Sequence, residues 1–297
     1  MTALTSGQEI PVVFECQGAN LVGIVHKPEA PVEFGVLTVV AGGPQYRAGV
    51  GRGLVSMGRQ LSARGIPVMR FDHRGLGDSA GDFLGFEHLE EDLRAAVAAF
   101  KAQVPQVRKI VLWGGCDAAS GIMIHACKIP EVASIMVGNP FVSSSVTQAA
   151  VSRQHYLKRL GQWSFWRKVF SFEYNLLDYG KATVDKVTGR LRSAKKQSQE
   201  NPSVAADSTE NGSFIDRMLS GFNRFQGPTL FIMSGQSLVS KEFDELLAIS
   251  PSWKDSYSQP GNKRIDLPDA DQAFSSQDSK ERVNEAVFDW LSALRQE

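Results

Sequence analysis

The chain has 297 residues, 42% of them hydrophobic, and no apolar run long enough to cross a bilayer, so it reads as a soluble globular protein with a sizeable core. Lys plus Arg and Asp plus Glu both number 32, a balance that supplies no global field for nucleic acid or for a strongly acidic substrate. Three cysteines, Cys16, Cys116 and Cys127, are an odd number without close metal-ligand spacing, which argues against a disulfide framework or a zinc site; no cofactor is expected.

The start, MTALTSGQEIPVVFECQG, has no basic segment followed by an apolar stretch, so a secretory signal is not expected and the cytoplasm is the expected address. Residues 10–17 and 20–27 read as two strands of an antiparallel hairpin at a sheet edge. GVLTVV (35–40), IPVMRFD (66–72), KIVLWG (109–114) and ASIMVG (133–138) are short apolar runs without polar alternation, as expected of strands buried on both faces. Helical patterns at 49–64, 87–103 and 117–127 separate them. The alternation resumes with TLFIMSG (229–235), a helix over 240–249, KRIDLP (263–268) and a helix over 280–294. Strand and helix alternating in this way predict a mostly parallel sheet with helices on both faces.

The middle breaks the rhythm. Residues 143–226 hold aromatic helical patterns and then a basic and a polar stretch, and are read as a helical cap inserted between core segments 1–142 and 227–297, with a flexible loop at about 197–213. The basic run suits a solvated helix face, with peripheral contact to an anionic membrane as the alternative.

Open α/β sheets bind ligands beyond the carboxyl ends of their strands, so the turns that follow the strands carry the search for a site. They are AGGPQYRAG (41–49), FDHRGLGDSAG (71–81) and GGCDAAS (114–120). Together these resemble the α/β-hydrolase superfamily, an α/β fold with a mostly parallel sheet, an antiparallel N-terminal edge hairpin and here an inserted helical cap. Gly114, Gly115, Cys116, Asp117 and Ala118 match its G-x-nucleophile-x-G elbow, with Cys for Ser and Ala for the last Gly. The resemblance implies Cys116 as nucleophile and the N–H groups of Gly43 and Asp117 as an oxyanion hole. The turn Asp72 to Ser79 is a further, mostly structural hallmark. VVAGGPQYRAG, RFDHRGLGDSAG, FWRKVFSFEYN, MSGQSLVSKEF and DLPDADQAFSS resemble more narrowly the exosortase A system-associated hydrolases, a bacterial family linked to exopolysaccharide export. That resemblance implies an ester or thioester hydrolase or an acyltransferase, acting on a small acyl or lipid-like ligand.

Two positions depart from the pattern. Ser237 stands where the family's acid is expected, and Gln272 where its histidine is expected. The five histidines are His26, His73, His88, His125 and His155, so none follows the insert, and a nucleophile, acid, histidine order is impossible. Gln272 cannot accept a proton at neutral pH, and Ser237 cannot supply the charge that stabilises an imidazolium. His73, His125, Asp271 and Asp244 are weighed as replacement bases; each also has an ordinary reading as a turn, packing or solvated side chain. Ser120 reads as the first turn of the helix, and Cys16 and Cys127 as core or strand residues. A helix N-terminus lowers a thiol's pKa, whereas Asp117 raises it. An oxyanion hole and pocket alone leave roughly 10³–10⁴ of acceleration, while lost triad members cost on the order of 10⁴–10⁶. Three readings follow: a cysteine hydrolase or acyltransferase with an unconventional base, a catalytically impaired binding or partner module on the same fold, and thiol redox chemistry at Cys116.

Overall fold

The computed structural model describes residues 7–42, 45–143 and 213–295. Gly43 and most of the insert, with residues 197–212 of the loop expected at about 197–213 and the basic run before it, lie outside the described residues. Two compact units divide the chain, one of Met1–Gln148 with Phe214–Glu297 and one of Ala149–Ser213; every element below belongs to the first.

Eight strands form one sheet: β1 (Gln8–Cys16), β2 (Ala19–Lys27), β3 (Phe34–Val39), β4 (Val68–Asp72), β5 (Lys109–Gly115), β6 (Val132–Gly138), β7 (Thr229–Ser234) and β8 (Lys263–Leu267). Their order is β1-β2-β4-β3-β5-β6-β7-β8, antiparallel at β1-β2 and β2-β4 and parallel thereafter. The hairpin closes tightly, pairing Cys16 with Ala19. Its two turn residues, Gln17 and Gly18, both have positive φ (51° and 76°), the twist that matches right-handed strands.

The core strands alternate between two hydrophobic layers, which is why their sequences are apolar throughout. On β5, Ile110 and Leu112 face one layer, built with α2 (Glu90–Gln103), α3 (Asp117–His125), α4 (Phe214–Arg224), α5 (Leu238–Ile249) and α6 (Pro251–Tyr257). Val111 and Trp113 face the other, built with α1 (Gly53–Ser62) and α7 (Gln277–Leu294). Helix α4 falls within the stretch assigned to the insert on the sequence, yet it packs on α3 in the body of the fold. A Cβ on Gly221 would stand 2.5 Å from the carbonyl oxygens of Met123 and Ile124, so only glycine permits that approach. Helix α6 is not foreseen on the sequence, although its start carries a plain signal: Pro251 is its first residue, and the Ser250 hydroxyl accepts from the Trp253 N–H at 3.5 Å.

From β3 the chain crosses to β4 on one side and then to β5 on the other. The carboxyl ends of β3 and β5 therefore flank the point where the winding direction reverses, where an open sheet leaves a crevice.

Candidate functional site

A cavity of about 330 Å³ opens at that crevice. Val39 to Gly42 from the end of β3 and Gly115, Cys116 and Asp117 from the end of β5 line it, with Met57 of α1, Phe141, Gln272 to Phe274 and Lys280 of α7 completing the wall. Its surface is chiefly apolar, as in small-molecule sites generally.

Cys116 sits at the apex of the β5–α3 turn with φ 57° and ψ −126°, a conformation that costs a non-glycine residue on the order of 1–3 kcal/mol. Surrounding contacts hold it there. The Cys116 N–H donates to the Gly138 carbonyl at 2.8 Å, and its carbonyl accepts from the N–H groups of Ser120 (3.3 Å) and Phe141 (3.2 Å). A Cβ on Gly114 would lie 2.7 Å from Ile122, so the preceding glycine lets β5 and α3 meet closely. Ser120 is buried in the first turn of α3, its hydroxyl donating to the Phe141 carbonyl at 2.6 Å.

Around the sulfur, the Gln272 amide donates to Sγ at 3.5 Å. Burial, and next the Asp117 carboxylate, push the Cys116 thiol above its ordinary value, against the Asp117 N–H and the Gln272 amide, which pull it down. Burial therefore outweighs the helix N-terminus weighed on the sequence. A raised pKa means less thiolate at neutral pH. The alkylation rate of Cys116 is accordingly expected to reach half its plateau above the ordinary thiol value of about 8.5, with Asp117→Asn moving the midpoint down. A wild-type midpoint below 8.5 contradicts this assignment.

The Asp117 carboxylate turns back over the β3 end, accepting from the Gly42 N–H through both oxygens (3.1 and 3.0 Å) and from the Ala118 N–H at 2.8 Å. Burial raises its pKa, while those N–H groups and His73 oppose the rise. It thus places an acidic group beside the turn proposed to hold an oxyanion. Gly43, the other expected donor, is outside the described residues.

The base candidates that are described are each engaged with other partners. His73 is buried, burial lowers its pKa, and it is bonded through Nε2 to the Val40 carbonyl at 3.1 Å, its ring against Phe83. His125 bonds to the Glu87 carbonyl at 3.0 Å, and burial lowers its pKa to about 4. His26 accepts from Arg70 at 2.8 Å, across the sheet on β2. The Asp271 carboxylate accepts from the N–H groups of Ala273 (3.1 Å) and Ser275 (2.8 Å) and from the Ser275 hydroxyl, which holds it below its ordinary range. Asp244 pairs with Arg264. His155 lies outside the described residues. Ser237 caps α5, its hydroxyl accepting from the Ser240 N–H at 3.2 Å. All three cysteines are free, and Cys16 is buried on β1.

One contributor goes unnoticed on the sequence. Asn139, fully buried with φ 46°, donates from Nδ2 to the Gln272 carbonyl (3.0 Å) and accepts at Oδ1 from the Ser234 N–H (2.8 Å). It ties the ends of β6 and β7 to the loop that carries Gln272. The only local hint is its place in G-N-P directly after a strand, since asparagine tolerates the left-handed region better than most residues.

Solved structures share this architecture. An esterase of Pyrococcus furiosus superposes with a TM-score of 0.62 at 16% identity, over 98% of this chain and 92% of that one. The esterase domain of a Rhodothermus marinus protein gives 0.57 at 18% identity, over 95% and 97%. An α/β hydrolase from Penicillium gives 0.60 at 15% identity, over 96% and 98%. The fold is that of the α/β hydrolases. No family model matches the chain, and no curated protein does. Among the described residues no helix is long and apolar enough to cross a membrane, and no cluster of His, Cys, Asp or Glu could hold a metal ion.

Proposed function

We propose that this chain is an acyl-binding protein on a hydrolase scaffold, in which Cys116 accepts an acyl group from a thioester slowly and releases it poorly. The observation that carries the reading is the contact of Cys116 Sγ with an amide, Gln272, where a proton acceptor would be needed. The remaining support is chemical. Attack by the small thiolate fraction needs no base, but an oxyester leaves as an alkoxide and needs a general acid, whereas a thioester leaves as a thiolate of pKa near 8.5 that departs unaided. In the exchange, a bond forms from Sγ to the acyl carbon, the donor's carbon–sulfur bond breaks, and the thiol proton passes through solvent to the departing sulfur. Hydrolysis of the resulting thioester then lacks a group to activate water.

The esterases that share the fold favour acyl chemistry for the pocket, and the resemblance of nearly the whole chain to the exosortase A system-associated hydrolases favours a bacterial exopolysaccharide setting. In that setting we place it in the cytoplasm, with contact to an anionic membrane through the basic part of the insert. The test is intact-mass spectrometry after incubation with a short-chain thioester. The expected result is one added acyl group per chain, removed by hydroxylamine and absent in Cys116→Ala. No adduct in the wild type, or an adduct that survives Cys116→Ala, overturns the reading.

A further inference from the structure

Lys280 lines the same cavity as Cys116, from the first turns of α7. Its ammonium donates to the Gly51 carbonyl at 2.9 Å. Several half-buried arginines of the fold hold a carboxylate: Arg47 with Asp72, Arg74 with Asp92, Arg64 with Glu285, Arg264 with Asp244. Lys280 has no such partner among the described residues. Helix stability does not explain its position either, since the N-terminal end of a helix disfavours a cation. Asn284, one helical turn further on the same face, is buried and also lines the cavity. The cavity is therefore polarised. Its anion, Asp117, is engaged by N–H groups beside Cys116, whereas its cation, Lys280, has no carboxylate partner among the described residues.

From this we infer that Lys280 selects ligands whose non-reacting part carries an anionic group, a carboxylate or a phosphate, with Asn284 as an accompanying amide. This rests on the acyl-pocket reading, and it deepens it by naming the ligand class. The anion can sit on the acyl side, as in a dicarboxylic acyl group, or on the thiol side, as in a phosphate-bearing carrier thiol.

Binding measured by calorimetry in the non-acylating Cys116→Ala background separates these sources. The probes are valeryl and glutaryl thioesters of N-acetylcysteamine, which differ by a terminal carboxylate, and valeryl-coenzyme A, which carries its phosphates on the thiol side. At least one anionic probe is expected to bind roughly 10- to 100-fold more tightly than the neutral one, the range of a charge-assisted hydrogen bond. The probe that gains identifies the side. Lys280→Met should erase the gain without weakening the neutral probe, Lys280→Arg should keep most of it, and added salt should reduce it. Equal binding of neutral and anionic probes, or a gain that survives Lys280→Met, overturns the inference alone. Failure of all three probes to bind overturns it together with the acyl-pocket reading.

Discussion

Replacing Gln272 with histidine and Ser237 with aspartate together should raise steady-state thioester hydrolysis by on the order of 10²–10⁴, the usual contribution of a positioned general base. The scaffold is ready for both changes. The Gln272 side chain already touches Sγ at 3.5 Å, and its backbone is held by Asn139 at 3.0 Å, so an imidazole introduced there starts within reach of the sulfur. The two turns are stitched to each other: the Gly235 N–H donates to the Leu267 carbonyl (2.9 Å) and the Gln236 N–H to the Ala270 carbonyl (3.0 Å). Aspartate at 237 can replace serine as the cap of α5 and is favoured by the helix dipole. Gln272→His alone should give part of the gain; Ser237→Asp alone should give none, because no imidazole is present to orient. Cys116→Ala in the double variant should abolish the new activity. A double variant that folds, becomes acylated and still fails to turn over shows that something other than the missing base and acid limits release.

Asp72→Ala should destabilise the fold by about 3–5 kcal/mol, the cost of removing one partner from a buried ionic network. At roughly 2–4 °C per kcal/mol this lowers the melting midpoint by about 6–20 °C in a domain of this size. Asp72 is completely buried at the end of β4. Its carboxylate accepts from the backbone and guanidinium N–H groups of Arg47 and from the Asp78 N–H at 3.1 Å. Gly77, with φ 53°, is packed so tightly against it that a Cβ would fall 2.3 Å from the carboxylate. Without Asp72, Arg47 keeps only the exposed Asp78 as an ionic partner among the described residues. The consequence reaches the site, because Gln45 and Gly49 on either side of Arg47 line the cavity. Asp72→Asn, which retains an acceptor, should lose less. Thermal denaturation followed by circular dichroism decides the point, and a midpoint unchanged in Asp72→Ala would show that the turn is held by its backbone alone.

The central strands are legible in the sequence because they are buried on both faces, so each appears as a largely apolar run with a turn after it. Cys116 is legible for a related reason: a strained strand-to-helix turn demands small neighbours, and Gly114, Gly115 and Ala118 supply them locally. What the residues around Cys116 do is less so. Asn139 acts on Ser234 and Gln272, which lie 95 and 133 positions away, and no local pattern announces such a link. Asp117 is visible as a neighbour of Cys116, but its hold on the Gly42 N–H is a tertiary fact. Helix α4 reads as part of the insert on the sequence because its polar face hides a buried stripe of Met218, Gly221 and Phe222 whose partner, α3, lies far back in the chain. Positions 237 and 272 are the reverse case, where the sequence speaks more plainly than the backbone, since only the side chains distinguish serine and glutamine from the acid and histidine that the resemblance implies there.

The central claim is that Cys116 can take an acyl group and lacks the means to pass it to water. Stopped-flow measurement of thiol released from a short-chain thioester tests it most directly. The account predicts a burst of one equivalent per chain followed by a steady phase at least 10²-fold slower, as expected when general-base assistance is missing, with no burst in Cys116→Ala. Continuous release without a burst, at a rate that falls only when a residue other than Cys116 is changed, would contradict it.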